Sequence, residues 1–231
     1  MKPVKAAKAV KVVRRRPRQA RSESTVDAIY EATAQIIERE GAEKLTTKRI
    51  SEVSGFSIGT LYQYFHDRES LLMAMAMSHR DRQIERMKAT LAAARGQPLR
   101  EAILLLVAVN VAYARDNRKT LRAVMRAVTR KGRAARMQEA MRVLDDHIGR
   151  SLAQLAERDG LMLSPACRFV LSRSLTSVLW SAVMEESDLL DGPEIEDQIC
   201  AMLAGAMIRG QTFDAAHAGR DAHPDPVARL A

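Results

Sequence analysis

Apolar residues recurring at three- and four-residue intervals constrain this chain more than any other feature. Val26, Ile29, Tyr30, Ile36 and Ile37, with Thr33 among them, mark one face of a helix, and such runs return along most of the 231 residues. β-Branched residues seldom alternate at period two, so the spacing predicts an all-α fold of about nine helices. The longest apolar run, 102–109, falls short of the ~18 residues needed to cross a bilayer, so no membrane partner is expected.

The first helix is expected to be capped by Ser24, with Asp27 three residues on, and to end at Gly41. Leu45, Ile50, Val53, Phe56, Ile58, Leu61 and Phe65 then supply a small core with it. Two short helices follow, near 47–53 and 57–65, joined by Ser54-Gly55-Phe56, where Gly55 meets a turn's need for positive φ. Ser51 is small where the two should cross. Asp67 caps a long fourth helix with Leu71, Leu72, Met75, Ile84, Met87 and Leu91 inward, Gly96 past its end and Pro98 restarting the chain. Five more helices are expected near 98–115, 117–131, 134–159, 165–187 and 194–211.

The formal charge of +9 comes from 37 basic and 28 acidic residues, and it is concentrated at one end. Residues 1–21 hold nine Lys or Arg and no acid, leaving 28 basic residues against 28 acidic ones in the rest. The run Arg14-Arg15-Arg16-Pro17-Arg18 reads as a disordered nucleic-acid arm. A solubilising tail or a mitochondrial-type presequence would share its composition; a secretory signal would need an apolar stretch that does not follow. Cys167 and Cys200 lack metal-ligand neighbours and suit a reducing cytosol as small core residues.

The segment Ser57-Ile58-Gly59-Thr60-Leu61-Tyr62-Gln63-Tyr64-Phe65 carries the functional signal. A recognition helix must enter a major groove about 12 Å wide with short polar groups forward. Ser57 caps it, the amides of Ile58 and Gly59 can face a phosphate, and Gly59 permits close backbone approach. Thr60 and Gln63 are candidates for base edges; Tyr62 and Tyr64 can donate to phosphates. Leu61 and Phe65 face inward, while Thr47 and Lys48 can grip the backbone from the preceding helix. Core packing would equally occupy Phe65 and one of the tyrosines.

Residues 20–75 resemble the N-terminal domain of TetR-family transcriptional regulators. The resemblance rests on Ala28, Ile36, Gly41, Thr46, Thr47, Ile50, Ser57, Gly59, Thr60, Leu61, Tyr62, Tyr64, Phe65, Glu69 and Leu71-Leu72. Ser51 and Ser54 depart from the usual Ala, and Arg68 stands where a phosphate-binding Lys is common. The resemblance implies an all-helical homodimer with an N-terminal three-helix helix-turn-helix domain and a divergent C-terminal domain that binds a small ligand. It implies a repressor on double-stranded DNA at a palindromic operator, and a cytoplasmic, nucleoid-associated location; activation stays open. The expected division is 1–21 basic arm, 22–70 DNA-binding domain, 71–213 ligand-binding and dimerisation domain, and 214–231 flexible tail. Residues 22–70 hold five bases against nine acids, so the arm is expected to supply much of the electrostatic affinity and to place Arg14, Arg15, Arg16 and Arg18 near a minor groove.

No cofactor, metal site or catalytic constellation is expected. Asp145-Asp146-His147 comes nearest, but consecutive helical residues diverge, and a solvated helix face accounts for them. Helix 98–115 is apolar nearly all round yet carries Asn110 and Tyr113. With Met77, Met125, Met141, Phe169 and Trp180 (and Met73) these are candidates for an effector chamber, against ordinary core packing. Arg118, Arg122, Arg126 and Arg130 form a stripe that reads as a solvated or salt-bridged face, or as an anion site. Leu175, Val178, Leu179 and Ala182 on one helix, with Ile199, Met202 and Ala206 on the next, are expected at a two-fold interface. A non-specific DNA-coating protein and a helical enzyme bearing a DNA-binding domain are the competing readings.

Overall fold

The computed structural model describes residues 20–129 and 134–217. Its regular elements are nine α-helices among those residues: α1 (Ala20–Glu40), α2 (Thr47–Ser54), α3 (Ile58–Tyr64), α4 (Arg68–Ala93), α5 (Leu99–Asp116), α6 (Arg118–Thr129), α7 (Ala134–Arg158), α8 (Pro165–Met184) and α9 (Glu194–His217). Short 3-10 turns at Ala42–Lys44 and Asp188–Asp191 complete the set. The all-α fold matches the periodicity. Arg14, Arg15, Arg16 and Arg18 lie outside the described residues.

The first helix starts upstream of its expected cap: Ser24 is exposed inside α1, which already begins at Ala20. Ser22 then meets the Tyr64 hydroxyl at 2.9 Å, fastening the start of α1 to the end of α3. At the other end Gly41 takes φ 93°, ending the helix as expected. α9 runs to His217, so the tail expected from 214 is helical over its first four residues.

Ile29, Ile36, Leu45, Ile50, Leu61 and Phe65 bury the core of the N-terminal domain. Val53 and Phe56 are only half-buried, and Ile58 is 41% exposed, so it is not a core residue as expected. Its place in the first turn of a seven-residue helix points its side chain away from α1. This core continues into Leu71–Met75 of α4 and takes in Ala123 and Val124 of α6 and Met137 and Ala140 of α7. The boundary expected at residue 70 therefore falls inside one helix and one continuous apolar cluster. A second cluster, centred on Ile103, Leu106, Ile148, Leu152 and Leu175, holds α5, α7, α8 and α9 together.

Caps fix α2, α3 and the start of α4. Thr46 accepts from the Arg49 amide at 3.1 Å, and Gly55 closes α2 at φ 73° with its N–H on Ser51 O. The Ser51 hydroxyl donates to Phe56 O at 2.6 Å, so the departure from Ala at this position ties α2 to the turn. Asp67 and Ser70 form a reciprocal capping box on α4. Ser51→Ala is expected to cost about 1 kcal/mol and to lower Tm by roughly 2–4 °C, read by thermal denaturation.

Candidate nucleic-acid interface and ligand chamber

On α3, Leu61 and Phe65 are 4% and 3% exposed, whereas Tyr62 is 42% exposed and Gln63 lies open beside it. Ser57 caps the helix by accepting from Thr60 N at 3.0 Å and also meets the Thr60 hydroxyl at 2.9 Å. Thr60 is half-buried; its methyl and the remaining hydroxyl capacity are what it can offer to a base. A Cβ at Gly59 would meet nothing of this chain closer than Ser57 Oγ at 3.6 Å. The glycine answers no need of the chain's own packing.

Lys48 is exposed and Thr47 half-exposed at the start of α2, on the flank expected. Arg68 donates from Nη1 to Leu45 O at 3.2 Å and lies 3.8 Å from Glu69, so part of its guanidinium is structural. The Tyr64 hydroxyl is shared with Ser22, and its ring stands 6.3 Å from Phe65. Of the two tyrosines, Tyr62 is the outward one. Arg49 is clamped by Glu40, which accepts from Nη2 at 2.7 Å and Nε at 3.0 Å, with Glu52 on Nη1 at 3.1 Å. That fork lowers the Glu40 pKa, chiefly through its hydrogen bonds to Arg49.

A cavity of about 70 Å³ lies between α4, α5, α6, α7 and α8. Tyr113, Met125, Met141 and Trp180, four of the candidates for an effector chamber, line it with His79, Arg80, Gln83, Val124, Met137 and Leu144. Four expected members are elsewhere. Asn110 is sealed in the core, donating to Leu106 O at 2.7 Å and Met87 Sδ at 3.4 Å while accepting from Gln83 Nε2 at 3.1 Å. Met77 packs half-buried against the N-terminal core, and Met73 is fully buried there. Phe169 is 58% exposed with the Arg173 guanidinium 4.0 Å above its ring, because α8 turns that side to solvent.

Gln83 spends its amide hydrogens on Val109 O and Asn110 Oδ1, leaving Oε1 buried without a partner; the Tyr113 hydroxyl is buried and unpartnered as well. Two orphaned polar atoms in a chamber that is largely apolar apart from His79 and Arg80 are what a ligand with one polar end would satisfy. Burial, with Arg82 and Arg86 nearby, pulls the His79 pKa from 6.5 down to about 4. A base that is harder to protonate when folded costs the protein stability as pH falls from about 6.5 toward 4. The His79→Gln variant is expected to lack that part of the pH dependence, so the wild-type-minus-variant stability difference falls as pH falls over this range, at a slope bounded by ~1.4 kcal/mol per pH unit.

The arginine stripe is largely internal wiring. Arg118 pairs with Asp191 and Arg122 with Glu186, while Lys119 donates to Glu38 O at 3.0 Å. α6 is thus tied to the end of α1. The side chain of Arg130 lies outside the described residues. Asp145, expected on a solvated face, is instead buried and accepts from Thr176 Oγ1 at 2.6 Å, because α8 packs over that side of α7. Asp146 pairs with Arg142 at 2.7 Å on the surface, and His147 turns toward α4.

The expected interface residues split. Leu175, Leu179, Ala182 and Ile199 are buried in the subunit's own core, since α8 is covered by α5, α7 and α9 at once. Val178 and Met202, 40% and 39% exposed, and half-exposed Ala206 remain outward, together with Phe169, Val170 and Ile208.

Residues 29–75 match the family profile described as bacterial regulatory proteins, tetR family. No curated protein matches the chain in sequence. Among solved structures, the fatty acid degradation regulator FadR from Bacillus halodurans superposes with a TM-score of 0.61 at 19% identity, over 78% of this chain and 95% of that one. Thermus thermophilus FadR, a TetR-family repressor solved with lauroyl-CoA, gives 0.55 at 17% identity over 87% and 98%. FadR from Bacillus subtilis, solved with stearoyl-CoA, gives 0.55 at 16% over 78% and 95%. At such identities these likenesses establish the fold. Residues 29–75 are thus similar to the N-terminal helices of the tetR family of bacterial regulatory proteins, and the chain shares its overall fold with these solved regulators.

Proposed function

We propose that the chain is a homodimeric repressor that holds a palindromic operator with two copies of α2–α3 and releases it when a small apolar molecule enters the chamber. The observation that carries the reading is the outward side of α3, where Tyr62, Gln63 and the unobstructed backbone at Gly59 stand together. Thr47, Lys48, Ser57, Ile58, Thr60, Tyr64 and Arg68 flank that surface. The outward apolar strip of Val178, Met202, Ala206 and Ile208 supports pairing about a two-fold axis, which a palindrome would mirror.

Release follows from shared walls. Val124, Met137 and Ala140 line the chamber and belong to the same apolar cluster as the N-terminal core. The present free volume holds little more than two waters at ~30 Å³ each, so an effector must displace Met125, Met137 or Met141. That displacement presses on the packing that orients α2–α3, shifting population toward a geometry unable to span both half-sites.

The test is fluorescence anisotropy on DNA from upstream of the chain's own gene, with excess unrelated duplex as competitor. A sequence-specific reader retains its operator under a large excess, one dimer per palindrome. If unrelated duplex strips the complex in proportion to its concentration, the reading fails in favour of a non-specific coat.

A further inference from the structure

Beyond the chamber, a cleft of about 320 Å³ opens between the last turns of α4 and the second half of α7. Lys88 reaches it from the end of α4, Arg95 from just past that helix, and Arg150 and Arg158 from α7. Among the described residues no carboxylate lines it. Lys88 has Glu85 beside it at 2.7 Å, and Arg158 donates to Ala94 O and Gln97 O. Arg95 and Arg150, both exposed, have no carboxylate partner among the described residues. His147 also lines the cleft, and its Nε2 is buried without a partner.

Four cations around one cleft repel one another unless an anion of more than one charge sits among them. Guanidinium forks match phosphoryl oxygens two at a time. Leu91 supplies an apolar patch within the same cleft. The volume lies at the lower end of small-molecule sites. Lys88 stands 20 residues along α4 from Arg68, about 30 Å from the α3 end of that helix, so a duplex held by α3 does not fill the cleft.

We propose that this cleft binds a compact polyphosphorylated small molecule, with Arg95 and Arg150 taking the phosphoryl oxygens. The site is separate from the effector chamber and does not depend on it. Its occupant would bridge α4, which runs unbroken out of the reading domain, to α7, whose first turns wall the chamber.

The experiment is calorimetric titration of the full chain with ADP, with adenosine as the uncharged control. Wild-type protein is expected to bind one ADP per chain and no adenosine. The Arg95→Glu/Arg150→Glu variant is expected to bind at least about tenfold more weakly. A matched charge reversal at exposed positions on the reading domain, Arg39→Glu/Lys44→Glu, is expected to bind like wild type, and both variants to melt like it. Absence of ADP binding at millimolar concentration overturns the proposal. Unchanged binding in Arg95→Glu/Arg150→Glu also overturns it, by assigning the affinity to other basic residues of the chain. Loss of operator binding in Gly59 variants leaves this result unaffected, so the two readings fail separately.

Discussion

Gly59→Ala is expected to leave the chain folded, slightly more stable, and about a hundredfold weaker on its operator. Gly59 sits in α3 with helical backbone, and a Cβ there would meet only Ser57 Oγ at an ordinary 3.6 Å. Alanine in place of glycine in a helix contributes up to about 1 kcal/mol, part of it by narrowing the unfolded ensemble. A substitution that improves the isolated protein yet damages its function identifies a contact outside the chain. On a duplex the added methyl would hold the helix away from the groove, and base-edge contacts worth about 1–3 kcal/mol each would lengthen together. Gly55→Ala offers the contrast: at φ 73° the residue caps α2, and a side chain there costs roughly 1–2 kcal/mol of stability. Thermal melts and anisotropy titrations of both variants separate the two roles. If Gly59→Ala binds like wild type, α3 is not the element that approaches DNA closely.

How much of this was legible beforehand follows the range of each signal. Caps and turns are local, so Gly55, Ser57, Asp67 and Gly96 could be placed from their neighbours alone, and four of the five later helices end within about three residues of where their spacing put them. The bounds of α3 were legible for the same reason. What the sequence could not show depends on partners far along the chain. Arg49 counts as one of only five bases in residues 22–70, and nothing near it in sequence shows that Glu40, nine residues earlier, closes on it. Asn110 and Gln83 are polar residues of two long helices; only the crossing of α4 and α5 decides that Asn110 is sealed and that Gln83 keeps a buried, unpartnered oxygen. α8 is apolar on every side, with serines between, so its spacing could not separate Leu175, packed inward, from Val178, turned out. His79 carried no signal because a lone histidine in a long helix has none.

Removing residues 1–18 is expected to lower operator affinity by at least about tenfold at physiological salt and to flatten its salt dependence, with little change in the ratio of operator to unrelated DNA. The deletion takes away eight of the nine cations of the arm and leaves α1 whole. The need for the arm follows from the reading domain itself. Residues 22–70 carry five bases against nine acids, and two of those bases are already engaged, Arg49 by Glu40 and Glu52 and Arg68 by Leu45 O and Glu69. A surface of net negative charge cannot supply the counterion release on which affinity for a duplex rests. If each arm neutralises roughly four phosphates, the slope of log K against log salt should fall by about 3–4 per subunit. The base-edge contacts of α3 are untouched, so discrimination stays while both specific and non-specific binding weaken. Titrations of the two chains at several salt concentrations, on operator and on unrelated duplex, give slope and ratio together. Equal slopes would mean that the arm does not touch DNA and that Lys48 and the exposed side of α3 must hold the duplex against their own domain's charge.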